Sequence, residues 1–269
     1  MRVLISKYPI VIKFFLAIIL FALVLFVSGL VNKGFVKQYF PYVSCLLLVV
    51  ATWMMYKIEH KSLKAIGLNF SWRNLSFLPL GVLVGLLALF GASFFKAIML
   101  GETLNFSISI NLSTILLAFY YILPQVATEE LLFRGYLFKK TIEVSNVAVA
   151  NVLFSILFML IHVLDKGVLN NKAMIILVVV SIPVGHLLFA TALLKSRTLF
   201  FPIGIHLGNN WATRHLISNT NSGDSIFYLS NVNSLETWAS FIVFLILFNG
   251  FFLLVTLLIW KWDKITVFR

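Results

Sequence analysis

Acidic residues are scarce in this chain: nine Asp and Glu stand against 21 Lys and Arg in 269 residues, and charged residues of both signs make up 11%. A soluble domain carries about a quarter charged residues, so this sequence cannot clothe an ordinary water-exposed surface. Cysteine is scarcer still. Cys45 stands alone, which excludes an intrachain disulfide and a cysteine-based zinc cluster; it is expected to pack as a small apolar residue. Also missing are the two-residue alternation and frequent turns of a membrane barrel, any internal repeat or low-complexity tract, and the paired broken helices that mark many transporters.

What fills the chain is hydrocarbon. Hydrophobic residues make up 61% of it and the mean hydropathy is +1.02. Runs long enough to cross the bilayer core as helices, roughly 20 residues each, lie near 9–31, 40–56, 77–100, 112–138, 146–164, 172–194, 198–218 and 237–260. The expected fold class is therefore all-α: a polytopic transmembrane helical bundle of about eight transmembrane helices, in one integral membrane domain over 1–269. The first run follows Arg2 and Lys7 but outlasts the about 7 to 15 apolar residues of a signal core, and reads as a retained helix.

Basic residues set the expected orientation, because Lys and Arg concentrate in cytoplasmic loops. With the N-terminus inside, Arg2, Lys7, Lys57, Lys61, Lys64, Arg73, Lys139, Lys140, Lys195, Arg197, Lys261, Lys264 and Arg269 fall on the inner side. Only Lys33, Lys37, Lys166, Lys172 and Arg214 fall outside. Both termini are thus expected in the cytoplasm, and the lack of an evident organelle address points to a bacterial plasma membrane. The net charge of +12 then reflects topology and attraction to anionic lipid, so the lipid bilayer is an expected partner and nucleic acid is not. Segment 57–74 mixes bases with Leu63, Ile66, Leu68, Phe70 and Trp72, as a helix or elbow lying on the inner membrane surface would. The Asn- and Ser-rich 219–236 reads as an outer loop. Trp53, Trp211, Trp260 and Trp262 read as interfacial anchors, and Lys96 as a side chain that snorkels to the outer surface.

Against this background the stretch PQVATEELLFR, Pro124 to Arg134, is anomalous: it puts two adjacent carboxylates and an arginine in an apolar run. In a helix Glu130 and Arg134 stand four apart, acid first, the favourable order for a pair. Glu129 points about 100° away. An ionised group in hydrocarbon needs a partner or water; Arg134 serves Glu130, so Glu129 requires something from another helix. Pro124, one turn earlier, is expected to open the backbone ladder locally or to kink the helix.

Two other runs carry polar stripes. In FSILFMLIHVLD, Phe158 and His162 stand four apart, with Asn151 and Ser155 extending the face; in FFPIGIHLGNNW, His206 and Asn210 stand four apart. Clustered around water, these groups form a hydrolytic constellation, with a carboxylate and an imidazole to activate water and donors to hold an oxyanion. His186 reads as a structural core imidazole, and His60 and His215 as solvated or headgroup contacts.

Glu129-Glu130-Leu-Leu-Phe-Arg134, Phe158-Met-Leu-Ile-His162 and His206-Leu-Gly-Asn-Asn210 resemble, in order and spacing, the EExxxR, FxxxH and HxxxN motifs of the CAAX-protease and bacteriocin-processing (CPBP, or Abi) family, over about 112–217. The resemblance implies an intramembrane endopeptidase related to type II CAAX prenyl endopeptidases. In it Glu129 and His162 would activate the attacking water, His206 and Asn210 would stabilise the oxyanion, and Glu130 and Arg134 would set the electrostatics and position substrate. The implied partner is a membrane-associated peptide or protein: a CAAX-type tail, a peptide pheromone or a bacteriocin-like precursor. Zinc is the cofactor alternative, because Glu and His bind it. A set without HExxH that uses Asn, a poor zinc ligand, favours a glutamate mechanism with no cofactor. Two readings of other classes stand beside the protease: a non-catalytic immunity or scaffold protein binding a peptide partner, and a proton-coupled transporter.

Overall fold

The computed structural model describes residues 9–233, 235 and 237–262. Arg2, Lys7, Lys264 and Arg269 of the charge pattern, and Ser234 and Glu236 of the expected outer loop, lie outside the described residues. The helices are α1 (Pro9–Val31), α2 (Gly34–Tyr39), α3 (Val43–Ile58), α4 (Trp72–Leu100), α5 (Leu112–Arg134), α6 (Tyr136–Val144), α7 (Val147–Val163), α8 (Lys166–Leu169), α9 (Lys172–Ser196), α10 (Phe200–His215) and α11 (Trp238–Lys261). Several begin at polar caps that take up an otherwise unpaired backbone N–H: Ser71 for α4, Asn111 for α5, Asn146 for α7, Asn171 for α9 and Thr237, in a capping box, for α11.

Every apolar run expected from the sequence is helical, and the protein is an all-α helical membrane bundle. Among the described residues five stretches are long and apolar enough to cross a membrane: α1, α4, Leu112–Val144, α9 and α11. The remaining three, α3, α7 and α10, have 16, 17 and 16 residues. The shortness of α10 has a physical reason. It runs through the middle of the bundle, buried from Phe201 to Gly208 and packed on α4, α5 and α9, so protein rather than lipid surrounds it.

The approach of α10 to α4 is set by four glycines. Gly81 and Gly85 on α4 face Gly204 and Gly208 on α10, each pair spaced as GxxxG, the small-residue pattern that lets membrane helices touch backbone to backbone. A Cβ added to Gly81 would stand 2.6 Å from the Phe201 carbonyl oxygen; one on Gly85 would run into the Ile205 oxygen, one on Gly204 into the Leu78 oxygen and one on Gly208 into the Val82 oxygen. His206 lies between the two glycines of α10 and is therefore carried on the most tightly held helix of the fold.

Several expectations are corrected. The run 112–138 is not one continuous helix: the chain breaks at Gly135, where a Cβ would meet the Leu131 carbonyl oxygen, and resumes as α6. At Pro124 the expected local opening of the ladder occurs without ending α5: the proline has no N–H for the Tyr120 carbonyl, and the Tyr42 hydroxyl donates to that oxygen at 3.1 Å. Between the end of α3 and the start of α4, segment 57–74 holds a short 3₁₀ turn, Leu63–Ile66, whose Ile66 is buried and accepts from the Leu199 N–H; Phe70 and Trp72, the first residue of α4, are exposed. The 219–236 loop contains a strand. β3 (Phe227–Ser230) pairs antiparallel with β1 (Thr103–Phe106) and parallel with β2 (Ile217–Ser218), in the order β1-β3-β2. Trp211 is a core residue, 4% exposed, donating to the Ile115 carbonyl and stacking on Phe119; Trp262 packs on Phe77 and Phe201. Trp53 and Trp260 are exposed. Lys96 pairs with the buried Glu102 at 3.4 Å.

At the opposite end of α4 from that pair, Glu59 gathers cations from separate elements: Lys13 of α1 at 3.4 Å, Lys61 at 3.6 Å and Lys140 of α6 at 2.6 Å, with the Tyr136 hydroxyl donating at 2.9 Å. Lys61 and Lys140 also reach Glu143. Burial alone would raise the Glu59 carboxyl. The hydrogen bonds from Lys140 and Tyr136 and the charges of Lys140 and Lys13 outweigh it and hold the group below its ordinary value.

Alanine at Gly85 or Gly204 is expected to lower the melting temperature in detergent, by the equivalent of about 1–3 kcal/mol for overpacking. Alanine at Gly29 or Gly250, where a Cβ meets nothing within 4 Å, is expected to change it little; equal effects at all four positions would contradict the crossing. A second expectation concerns Glu59. Since the unfolded chain binds the Glu59 proton more readily than the folded one, the network stabilises the fold above the ordinary carboxylate pKa, and that stability is lost as pH falls through the lower folded value. Glu59→Gln should reduce stability at neutral pH by about 1.5–3 kcal/mol, with the gap from wild type closing in acid. A gap that persists unchanged at low pH would show that the carboxylate charge is not its source.

Candidate functional site

The two adjacent acids of α5 face different surroundings, as a 100° step per residue requires. Glu130 is fully buried. One of its oxygens, Oε1, accepts from Arg134 Nη1 at 2.9 Å and from His206 Nδ1 at 2.8 Å. A carboxylate oxygen only accepts, so the His206 proton on that side sits on Nδ1 and Nε2 is turned to the other acid. Glu129 meets it there: its Oε2 lies 3.6 Å from His206 Nε2, beyond a direct hydrogen bond, while Oε1 accepts from Gln125 Nε2 at 3.2 Å.

Arg134, also fully buried, is held through both Nη atoms and by two aromatic rings, while its Nε has no partner among the described residues. Its guanidinium lies 4.2 Å from the Phe158 ring centre and 5.1 Å from that of Phe189, and Nη2 is 3.0 Å from His186 Nδ1. A guanidinium has donors and no acceptor, so His186 presents a lone pair and is neutral. Phe189 in turn stacks on the His206 ring, centroids 4.7 Å apart and 16° between planes. The chain of contacts His186, Arg134, Glu130, His206, Glu129 thus crosses α9, α5 and α10.

His162 comes from the last turn of α7. Its Nδ1 lies 2.8 Å from the Phe158 carbonyl oxygen, which can only accept; Nδ1 therefore carries the hydrogen and a neutral ring keeps Nε2 as acceptor. Glu129, His162, His206 and Asn210 all line one cavity of about 310 Å³, together with Gln125, Ser181 and Asn209. Its remaining wall is apolar, chiefly Phe158 and Phe189 with Phe244, Phe248 and Phe252 of α11. Glu129 Oε2, Ser181 Oγ and Asn209 Oδ1 are buried and have no hydrogen-bond partner among the described residues. A greasy pocket with a few converging polar groups is the usual form of a small-molecule or peptide site.

The structure brings all four candidate catalytic residues to this cavity and places Glu130 and Arg134 behind it. Gln125, Asn209, Ser181 and His186 were not picked out by spacing as site residues. Gln125 could have been, since it stands four before Glu129 on the same helix. His186 could not: its partner is 52 positions away. Among the described residues no three His, Cys, Asp or Glu side chains are arranged to hold a metal ion, and Asn210 is a weak zinc ligand.

Residues 111–212 match the family model described as Rce1-like, type II CAAX prenyl endopeptidase. Comparison with curated proteins gives no match, and comparison with solved structures gives none. The matched stretch runs from the cap of α5 into α10 and contains all three motifs and every polar residue of the cavity wall. Over this stretch the chain is similar to type II CAAX prenyl endopeptidases, in agreement with the resemblance of its three motifs to those of the CPBP family.

Proposed function

We propose that the protein is an intramembrane endopeptidase that hydrolyses a peptide bond in a membrane-associated peptide or protein, such as a CAAX-type tail, a pheromone or a bacteriocin-like precursor, by a glutamate mechanism without a metal. One observation carries the reading: Glu129, His162, His206 and Asn210, from three helices, line a single cavity. Water held between Glu129 and His162 attacks the carbonyl carbon, and Glu129 takes its proton. The oxyanion is stabilised by the Nε2–H of protonated His206 and by the Asn210 amide, donors held where charge develops. As the C–N bond breaks, the proton on Glu129 passes to the leaving amine, giving a free carboxyl and a free amine. Glu130 and Arg134 keep His206 in the ring state and angle that this requires. The basic residues around Glu59 mark the cytoplasmic end of the bundle by the preference of Lys and Arg for that side, with both termini inside and a bacterial plasma membrane as the setting.

The experiment is proteolysis in lipid nanodiscs of a farnesylated CAAX-tail peptide and of unprenylated membrane peptides. Glu129→Gln is expected to abolish turnover with the fold intact, because the amide cannot take the water's proton. Glu130→Gln is expected to fold with a partial loss. Wild type that binds these peptides without cleaving any would favour the scaffold reading; equal, complete loss in both variants would undo the division between the acids.

Activity is also expected to survive exhaustive chelation, with no stoichiometric metal in the purified protein. Asn210→Ala should lower kcat about a hundred- to a thousandfold with little change in binding, as loss of an oxyanion donor does. Activity lost on chelation and regained on adding zinc would replace this mechanism with a metal-dependent one.

A further inference from the structure

Next to the site lies a second cavity of about 270 Å³, between α4, α10, β2 and α11. Its wall is mostly apolar, Leu89, Leu216, Ile217 and Phe248, with Ser93 and Thr213 as its hydroxyls. Among the described residues no charged side chain lines it. Asn209 and Phe248 line both cavities. Along α10, Ala212, Thr213 and Leu216 follow Asn209 at spacings of three, four and seven, so one helical stripe leads from the first cavity into the second. The Thr213 hydroxyl donates to the Asn209 backbone carbonyl at 2.9 Å, which leaves the side chain of Asn209 free of it.

The junction has an unmet need. Asn209 Oδ1 is buried with no partner among the described residues, an unfavourable state for a buried acceptor. A ligand that donates one hydrogen bond there and carries apolar bulk beside it satisfies both cavity and acceptor. A residue of an extended peptide has this form: a backbone N–H next to a side chain that projects from it. A lipid tail would fill the volume but has no N–H, and a charged side chain would be buried without a counter-charge.

We infer that the second cavity is a substrate subsite: Asn209 Oδ1 accepts a peptide N–H from the bound chain, and an apolar side chain close to the cleaved bond enters between Leu89, Ser93, Leu216 and Phe248. The inference rests on the protease reading above and adds to it a residue class that the enzyme selects. Specificity here comes from shape and from one buried acceptor, the combination that penalises a substrate unable to satisfy it.

The test uses wild type and Ser93→Phe in lipid nanodiscs with peptide pairs that differ only by Ala or Phe at single positions flanking the cleaved bond. At one position wild type is expected to favour Phe, and Ser93→Phe to lower kcat/KM for the Phe peptide at least roughly tenfold more than for its Ala partner. Asn209→Leu, which removes the acceptor at similar size, should raise KM more than it lowers kcat, and Asn209→Asp, which keeps one, should restore KM in part. Independently of turnover, benzoylphenylalanine at that peptide position should crosslink, in the Glu129→Gln protein, to residues 89–93 or 212–217. Equal losses on both peptides, or crosslinks confined to α7 and α9, would overturn the subsite. If wild type cleaves none of the peptides the protease reading falls, and the crosslink map alone then decides whether the cavity takes a peptide side chain.

Discussion

The bundle depends on one contact, the backbone-to-backbone crossing of α4 and α10 at Gly81, Gly85, Gly204 and Gly208. In lipid there is little hydrophobic gain from bringing helices together, so close van der Waals packing between small residues has to supply the attraction. The crossing fixes the rotation of α10 about its axis. With glycines at 204 and 208 against α4, the 206 and 210 positions are turned toward α5 and the cavity. The same stripe that makes α10 small on one side makes it polar on the other.

A second constraint follows from the first. Once α10 is locked, His206 Nδ1 must find an acceptor in a site with little water, and Glu130 provides it, itself neutralised by Arg134. Truncating one partner of a buried charged pair typically costs about 3–5 kcal/mol, so each link forces the next: Arg134 between two phenylalanine rings, and His186 as the lone-pair partner of its remaining amine. The chain ends at Glu129, whose Oε2 has no partner among the described residues and faces the cavity. Glu130 Oε2, Arg134 Nε and His186 Nε2 are likewise buried without a partner among the described residues, but of these residues only Glu129 lines the cavity, where water or substrate can reach it.

Much of this was legible in the residues, for reasons that differ element by element. The apolar runs gave helices because a chain in hydrocarbon must satisfy its own backbone. The polar residues at spacings of four identified Glu130 with Arg134, Phe158 with His162, and His206 with Asn210, because side chains one turn apart share a face. Where pairing is tertiary, sequence spacing is silent. Nothing local tells that Trp211 donates to Ile115 inside the bundle, that His186 meets Arg134, or that Glu130 rather than Glu129 takes the His206 Nδ1–H. The two GxxxG patterns were readable as patterns, but only the fold shows that they face one another. Gly135 and the small sheet were hidden by similar means, the first because glycine occurs in apolar helices for many reasons, the second because strands of two to four residues carry too few side chains to show a period.

The adjacency of the two acids then has a physical reading. Side chains of residues i and i+1 on a helix diverge by about 100°, so a single turn of α5 can present one carboxylate to the protein interior and the next to a cavity. Glu130 is held by two hydrogen bonds, from the Arg134 guanidinium and the His206 ring; Glu129 has one amide donor and an oxygen without a partner among the described residues. His206 touches both, through different ring nitrogens. Moving either acid by one position would turn it away from the ring by that same angle, and the imidazole could no longer be oriented by one carboxylate while facing the other. Two consecutive glutamates in an apolar helix are, on this geometry, the shortest sequence that sets a carboxylate at each nitrogen of one histidine.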